Sequence, residues 1–210
     1  MKLTKEFYQQ QDVVMLAREL LGKVIFTFID GQYTAGIISE TEAYAGVTDK
    51  ASHAFGGRRT NRTEVMFAAG GVAYVYLCYG VHHLFNVVTG PEGTPHAILV
   101  RGIFPTEGIE IMIQRRKVKL GKKFSSGPGT SSAALGLKSS MSGTDLLGNI
   151  IWIEDMGFNI PENEIYVGPR IGVDYAGDDA ALPYRFLIND IFPGLPESPE
   201  QQPIKQIEIT

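Results

Sequence analysis

The chain has 210 residues, 44% of them apolar, one cysteine and a formal net charge of −4. That length fits one domain, and the apolar share suffices for a sizeable core, which argues against wholesale disorder. The lone Cys78 excludes an internal disulfide framework and a cysteine-based zinc site, and it suits a reducing cytoplasm.

The opening MKLTKEFYQQQDVVMLARELL has no unbroken apolar stretch and no small-residue cleavage site, so it does not read as a signal peptide. No run approaches the roughly eighteen apolar residues of a membrane span. From Asp12 to Leu21 the apolar residues fall at helical spacing, with Gly22 as the stop. KVIFTFI reads as a strand, Asp30-Gly31 as a hairpin turn and QYTAGIISETEAY as the returning strand. A mixed loop covers Ala45 to Arg62. GVAYVYLCYG, HHLFNVVTG and HAILVRGIF read as three further strands, the last two separated by the turn GPEGTP. Thr106 to Lys117 is expected as a helix ending in cations, and SSGPGTSSAALGL as a loop opening a short helix. NIIWIED, EIYVGPRIGVDY and YRFLIND are expected as late strands. Strands joined by short turns favour an α+β class: a single domain with a curved, mostly antiparallel sheet flanked by a few helices. That domain is expected over residues 1–192, with 193–210 a loosely held tail.

Charge is unevenly spread. Residues 1–140 hold 16 Lys and Arg against 11 Asp and Glu, and residues 141–210 hold 3 against 12. Phosphate binding follows the local field, so the acidic total does not exclude a nucleic-acid partner. Two basic clusters lie in the positive part: Arg58, Arg59 and Arg62 in GGRRTNR, and six cations between Arg115 and Lys123. Either one could equally be a solubilising surface.

The stretch SETEAYAGVTDKASHAFGG crowds ionisable groups. On a strand Glu40, Glu42 and Tyr44 share one face, while Thr41 and Ala43 face away. Adjacent carboxylates raise each other's pKa and need donors or cations close by. Such a pair is either an exposed strand end or a seat for an acid or base, and alternation alone does not say which glutamate would serve. Tyr74 and Tyr76 likewise share a face, with Tyr79 just beyond. They fit cross-strand packing or flat slots for a planar ligand. His53 could reach a ligand from its loop or serve structurally. His82 and His83 point to opposite faces, and no metal-ligand spacing occurs. Phosphate-binding glycine loops and a GxSxG elbow are also missing.

Taken together, ETEAY, SHA, the glycines and arginines after it, YVY, YG and NVV, then ILVRG and GPGTSSAALG, resemble the 3-methyladenine DNA glycosylase family of the alkyladenine type. The resemblance runs from LARELLGKV to GDDAALPYRF. It implies an enzyme that flips alkylated or deaminated purines (3-methyladenine, hypoxanthine, ethenoadenine) out of duplex DNA and hydrolyses the N-glycosidic bond, starting base-excision repair. It implies a monofunctional hydrolase without lyase activity, cofactor or metal. The partner would be double-stranded DNA containing damaged purines. The protein would be a monomer, cytoplasmic and nucleoid-associated in a bacterial-type cell, with no membrane contact.

By position, the resemblance makes Glu42 the base that activates water and Arg101 the residue that helps place it. A backbone carbonyl near Ile188 would complete the cradle. Tyr44, His53 and Tyr76 would hold the flipped base, Asn86 would disfavour guanine, and Tyr79 would fill the gap in the duplex. Arg58, Arg59 and Arg62 are candidates for the DNA backbone. The acidic last third is expected on the far side. A non-catalytic nucleic-acid-binding module of the same fold is the alternative, opposed by Glu42 and Arg101. An enzyme of free nucleosides or RNA would have no use for Tyr79.

Overall fold

In the computed structural model, which describes residues 1–121 and 123–188, two short helices come first: α1 (Lys5–Tyr8) and α2 (Val13–Glu19). Asp12 starts α2 by accepting from the N–H groups of Val14 and Met15 at 3.1 and 2.9 Å, two donors that the first turn leaves free. The helical spacing buries Val13, Leu16, Ala17 and Leu20. The Val13, Leu16 and Leu20 side chains each contribute roughly 1.5–3 kcal/mol when fully buried.

β1 (Val24–Ile29) and β2 (Gln32–Tyr44) form the expected hairpin, with Asp30 and Gly31 both at positive φ, as its tight turn requires. β3 (Ala73–Cys78), β4 (His82–Thr89) and β5 (His96–Glu107) follow, then α3 (Ile109–Arg116) and α4 (Pro128–Leu135), then β6 (Ile151–Glu154), β7 (Ile165–Gly168) and β8 (Arg185–Ile188). The sheet order is β3-β4-β5-β2-β1-β6, and every pairing described is antiparallel. β1 takes the first half of one edge of β2. β8 takes the second half and pairs onward with β7. The α+β class with a curved antiparallel sheet is the one observed.

Three local expectations change. β5 runs on to Glu107 because its end still pairs with Ala35 and Gly36, so α3 starts at Ile109 rather than Thr106. EIYVGPRIGVDY is not one strand: the chain leaves the sheet after Gly168 and forms a 3-10 segment over Asp174–Ala181. α1 has no counterpart in the sequence reading. The boundary at 192 and the tail 193–210 lie outside the described residues.

Side-chain alternation gives the sheet two unlike faces. Ala43, Val75, Phe85, Val87, Ile98 and Val100 pack with Leu16 and Leu20 of α2, Met112 of α3 and Ala134 of α4 in the main core. The opposite face carries Glu42, Tyr74, Asn86 and Leu99. The register sets these in one row across the sheet: Tyr74 opposite Asn86, Asn86 opposite Leu99, Leu99 opposite Glu42, and Glu42 opposite Arg185. Five strands thus each place one residue on a single transverse line.

Candidate active site

A cavity of about 550 Å³ opens on that second face, within the size range of small-molecule sites. Tyr44, His53, Arg62, Tyr76, Asn86 and Arg101 all line it. Glu42 lies behind the wall, fully buried and held on both carboxylate oxygens. Its Oε2 accepts from the Tyr44 hydroxyl at 2.8 Å, and its Oε1 accepts from the backbone N–H of Ile171 at 2.8 Å. Burial pushes the Glu42 carboxyl above the ordinary carboxylate range, and neighbouring Glu40 adds to that. The Arg101 guanidinium, the Ile171 N–H and the Tyr44 hydroxyl pull the other way.

Arg101 reaches two carboxylates because of a bulge. Thr41 pairs with Val100 and Glu40 with Gly102, so Arg101 is an extra residue on β5, and such a residue is re-aimed relative to the ladder. Its Nη1 lies 3.4 Å from Glu42 Oε1, and its Nε donates to Glu40 Oε1 at 3.0 Å. Arg185 Nε donates to the same Glu40 oxygen at 2.6 Å. Glu40 is therefore occupied by two arginines, whereas Glu42 keeps one arginine at longer range. The two glutamates share a face, as alternation requires, but they do different work.

At the other end of the row, Tyr74 and Tyr76 have ring centroids 5.4 Å apart, and His53 meets Tyr76 edge-on at 4.8 Å. Arg62 lies 4.6 Å over the Tyr76 ring and donates to the Tyr74 oxygen at 3.3 Å. It also approaches His53 Nε2 at 3.2 Å, while His53 Nδ1 lies 2.8 Å from the Tyr74 oxygen. Arg62 lies 3.4 Å from Nδ1 as well, so one guanidinium faces both ring nitrogens. Burial, then Arg62 and Arg58, pull the His53 pKa down to about 4, which keeps the ring neutral. Asn86 spends its amide N–H groups on the carbonyls of Tyr74 (3.1 Å) and Leu84 (3.3 Å). Tyr79 also lines the mouth. It is 93% exposed at positive φ, next to left-handed Gly80 in the β3–β4 turn.

The basic clusters separate. Arg62 is part of the pocket. Arg59 forks onto Glu64 at 2.8 and 2.7 Å, and Arg58 is exposed; neither lines the cavity. Arg115 and Arg116 hold the fold together: Arg115 donates to Ala134 O, Thr34 and Gln32, and Arg116 to Phe124 O.

A model of the methylpurine-DNA glycosylase family matches residues 6–191. The chain belongs to the methylpurine-DNA glycosylase family. It is 46% identical over 189 residues to a protein of Chlamydia abortus (89% of this chain, 98% of that one). It is 42% identical over 197 residues to one of Desulfitobacterium hafniense (90% and 96%) and 43% identical over 199 residues to one of Bacillus thuringiensis (89% and 95%). All three carry the name "Putative 3-methyladenine DNA glycosylase".

Two expectations, one from the family resemblance and one from the charge distribution, meet a different geometry. Ile188 is fully buried opposite Ile165 and does not line the cavity; the backbone that meets Glu42 belongs to Ile171. Nor is the whole acidic third remote, since Ile171, Gly172, Val173 and Tyr175 form one wall of the pocket. Sequence reasoning for this family member also passed over Arg170, Arg185 and the partner role of Asp49. A signal was available: Arg170 and Arg185 are the only cations between residues 141 and 188, amid many carboxylates.

Proposed function

We propose that the protein excises alkylated or deaminated purines, of the 3-methyladenine, hypoxanthine and ethenoadenine class, from duplex DNA by hydrolysing the N-glycosidic bond. The observation that carries this reading is the buried Glu42 carboxylate behind an aromatic slot, with Arg101 beside it. A base inside a duplex is out of reach, so it must be extruded at a cost of a few kcal/mol. Stacking on Tyr44 and Tyr76 returns roughly 1–3 kcal/mol per contact, and Tyr79, projecting from its turn, takes the vacated place in the stack. Asn86, fixed by two carbonyls, cannot withdraw from the added amine of guanine.

Cleavage builds oxocarbenium character on the sugar. Glu42 stabilises that charge and takes a proton from the attacking water, which Arg101 helps to orient. 3-Methyladenine, cationic in the nucleotide, leaves as a neutral base, whereas neutral hypoxanthine and ethenoadenine must gain a proton from an acid or solvent as they depart. Among the described residues no lysine lines the cavity, which supports a single hydrolytic step without a Schiff base. Duplex DNA bearing damaged purines is the partner; exposed Arg58 is available to its backbone, and Arg59 would exchange Glu64 for a phosphate.

The test is release of base from duplexes carrying hypoxanthine, ethenoadenine or 3-methyladenine, each with a Glu42→Gln control. Release from at least one duplex by the wild type, lost in the variant, is expected. Turnover unchanged by the substitution would remove Glu42 from the mechanism.

A further inference from the structure

Arg170 is a buried guanidinium that nothing in the reaction as derived above uses. Its side chain is wholly inaccessible. Nη1 bonds Asp49 Oδ2 and donates to the Ala43 carbonyl at 2.9 Å. Nη2 donates to Asp49 Oδ1 at 2.8 Å and to the Asp179 carbonyl at 3.1 Å. These four contacts tie together the end of β2, the loop after it and the 3-10 segment over 174–181.

Two consequences reach the pocket. The guanidinium lies 4.8 Å from the Tyr44 ring centroid and 5.2 Å from that of Tyr184, close enough for a cation–π contact with each. Asp49 in turn accepts from the N–H groups of Ala45 and Ala51, each at 3.0 Å, which sets the turn that follows Tyr44. The second consequence is covalent. The residue after Arg170 is Ile171, whose N–H reaches Glu42 Oε1.

We propose that Arg170, locked by Asp49, is a positioning residue for the reaction, which sets both the Tyr44 ring and the Ile171 N–H against Glu42. This rests on the reading of Glu42 as the base. Stability alone is a poor reason for the pair, because buried ion pairs replaced by apolar residues are often neutral or stabilising. What a two-pronged buried pair supplies is fixed geometry, and both groups that it fixes are hydrogen-bond donors to one carboxylate.

The experiment is single-turnover excision against pH for wild type, Arg170→Lys and Asp49→Asn. Lysine keeps the charge but cannot fork onto both Asp49 oxygens. The expected rate loss at neutral pH is about 10- to 100-fold, the scale of a small misplacement of a reacting group, with a smaller loss of lesion affinity because Tyr44 also stacks the base. The acid limb of the profile should move to higher pH, because a slackened Ile171 N–H no longer favours ionised Glu42. The charged and titratable neighbours of that carboxylate are otherwise the same: Arg101 from β5, Glu40 and Tyr44 from β2, Arg185 from β8 and Tyr175 from the following segment. Should Arg170→Lys fail to fold, Asp49→Asn, which keeps the size but replaces one acceptor oxygen with an amide donor, answers the same question. A folded variant with the wild-type rate and the wild-type pH midpoint would overturn the proposal alone. A wild type without Glu42-dependent excision would overturn the reading of the pocket, and the proposal with it.

Discussion

The Glu42 carboxylate lies 3.4 Å from the Arg101 guanidinium, yet Arg101 makes its shorter bond, 3.0 Å, to Glu40. Burial outweighs the pull of Arg101, so the Glu42 pKa stands above the ordinary carboxylate range. A base must be deprotonated to act, so excision should fall as pH drops through a midpoint above about 4.3, the ordinary glutamate value. Single-turnover rates between pH 4 and 8 measure it. A midpoint at or below the ordinary value would mean that Arg101 dominates after all.

The same shift has a consequence for folding. A carboxyl whose pKa is higher folded than unfolded binds more protons in the native state. Its contribution is fully present below the unfolded pKa and is lost as pH rises through the folded one. Glu42→Gln removes that loss. The melting temperature of the variant, relative to wild type, should therefore rise as pH increases from about 4 toward 7. A constant difference across that range would show that Glu42 carries no net desolvation penalty.

Glu40 contributes through its ion pairs. Both arginines at its Oε1 are largely buried, with side chains 11% and 17% exposed. Removing one partner from such a cluster leaves uncompensated charge, at about 3–5 kcal/mol. Glu40→Ala should cost that much in urea unfolding. A cost below about 1 kcal/mol, the level of a surface pair, would mean that water solvates the cluster.

His53 should stay neutral through the physiological range. With its pKa down at about 4, imidazole resonances should not shift between pH 8 and 5.5. Because the folded pKa is depressed, the stability tied to this residue is present above the unfolded value near 6.5 and drains away as pH falls toward 4. Substitution of Arg62 should raise the His53 pKa, since that guanidinium repels the imidazolium. NMR titration of the four histidines in wild type and Arg62→Met checks both statements.

Much of this was legible in the chain. The period-2 pattern put Glu42 with Tyr44 and Tyr74 with Tyr76, and the motifs after ETEAY named the family. What alternation could not show is which strands lie side by side. The line from Tyr74 to Arg185 exists only once β3, β4, β5, β2 and β8 are paired. The bulge that aims Arg101 is a register shift between two strands and leaves no mark in either one. Ile171 acts through its backbone N–H, which every residue but proline has, so no side-chain signature betrays it. Arg170 and Asp49 are 121 positions apart, and nothing local ties them together.

Tyr79 is the last test, because its two roles pull apart. It holds φ at 51°, a conformation that costs an ordinary L-residue roughly 1–2 kcal/mol and glycine little. With 93% of its surface exposed, it gains almost no packing in return. Strain of this kind persists where a side chain is wanted for something other than stability. Tyr79→Gly should therefore leave the free protein as stable as wild type or slightly more so, despite glycine's entropy in the unfolded chain. Affinity for a lesion duplex should fall by roughly 1–3 kcal/mol, the worth of one aromatic stacking contact. Its dependence on salt should be unchanged, because no phosphate contact is lost. Thermal melts and fluorescence anisotropy at two salt concentrations separate the terms. Equal lesion affinity in the glycine variant would leave the strained tyrosine without a purpose and would remove the wedge from the mechanism.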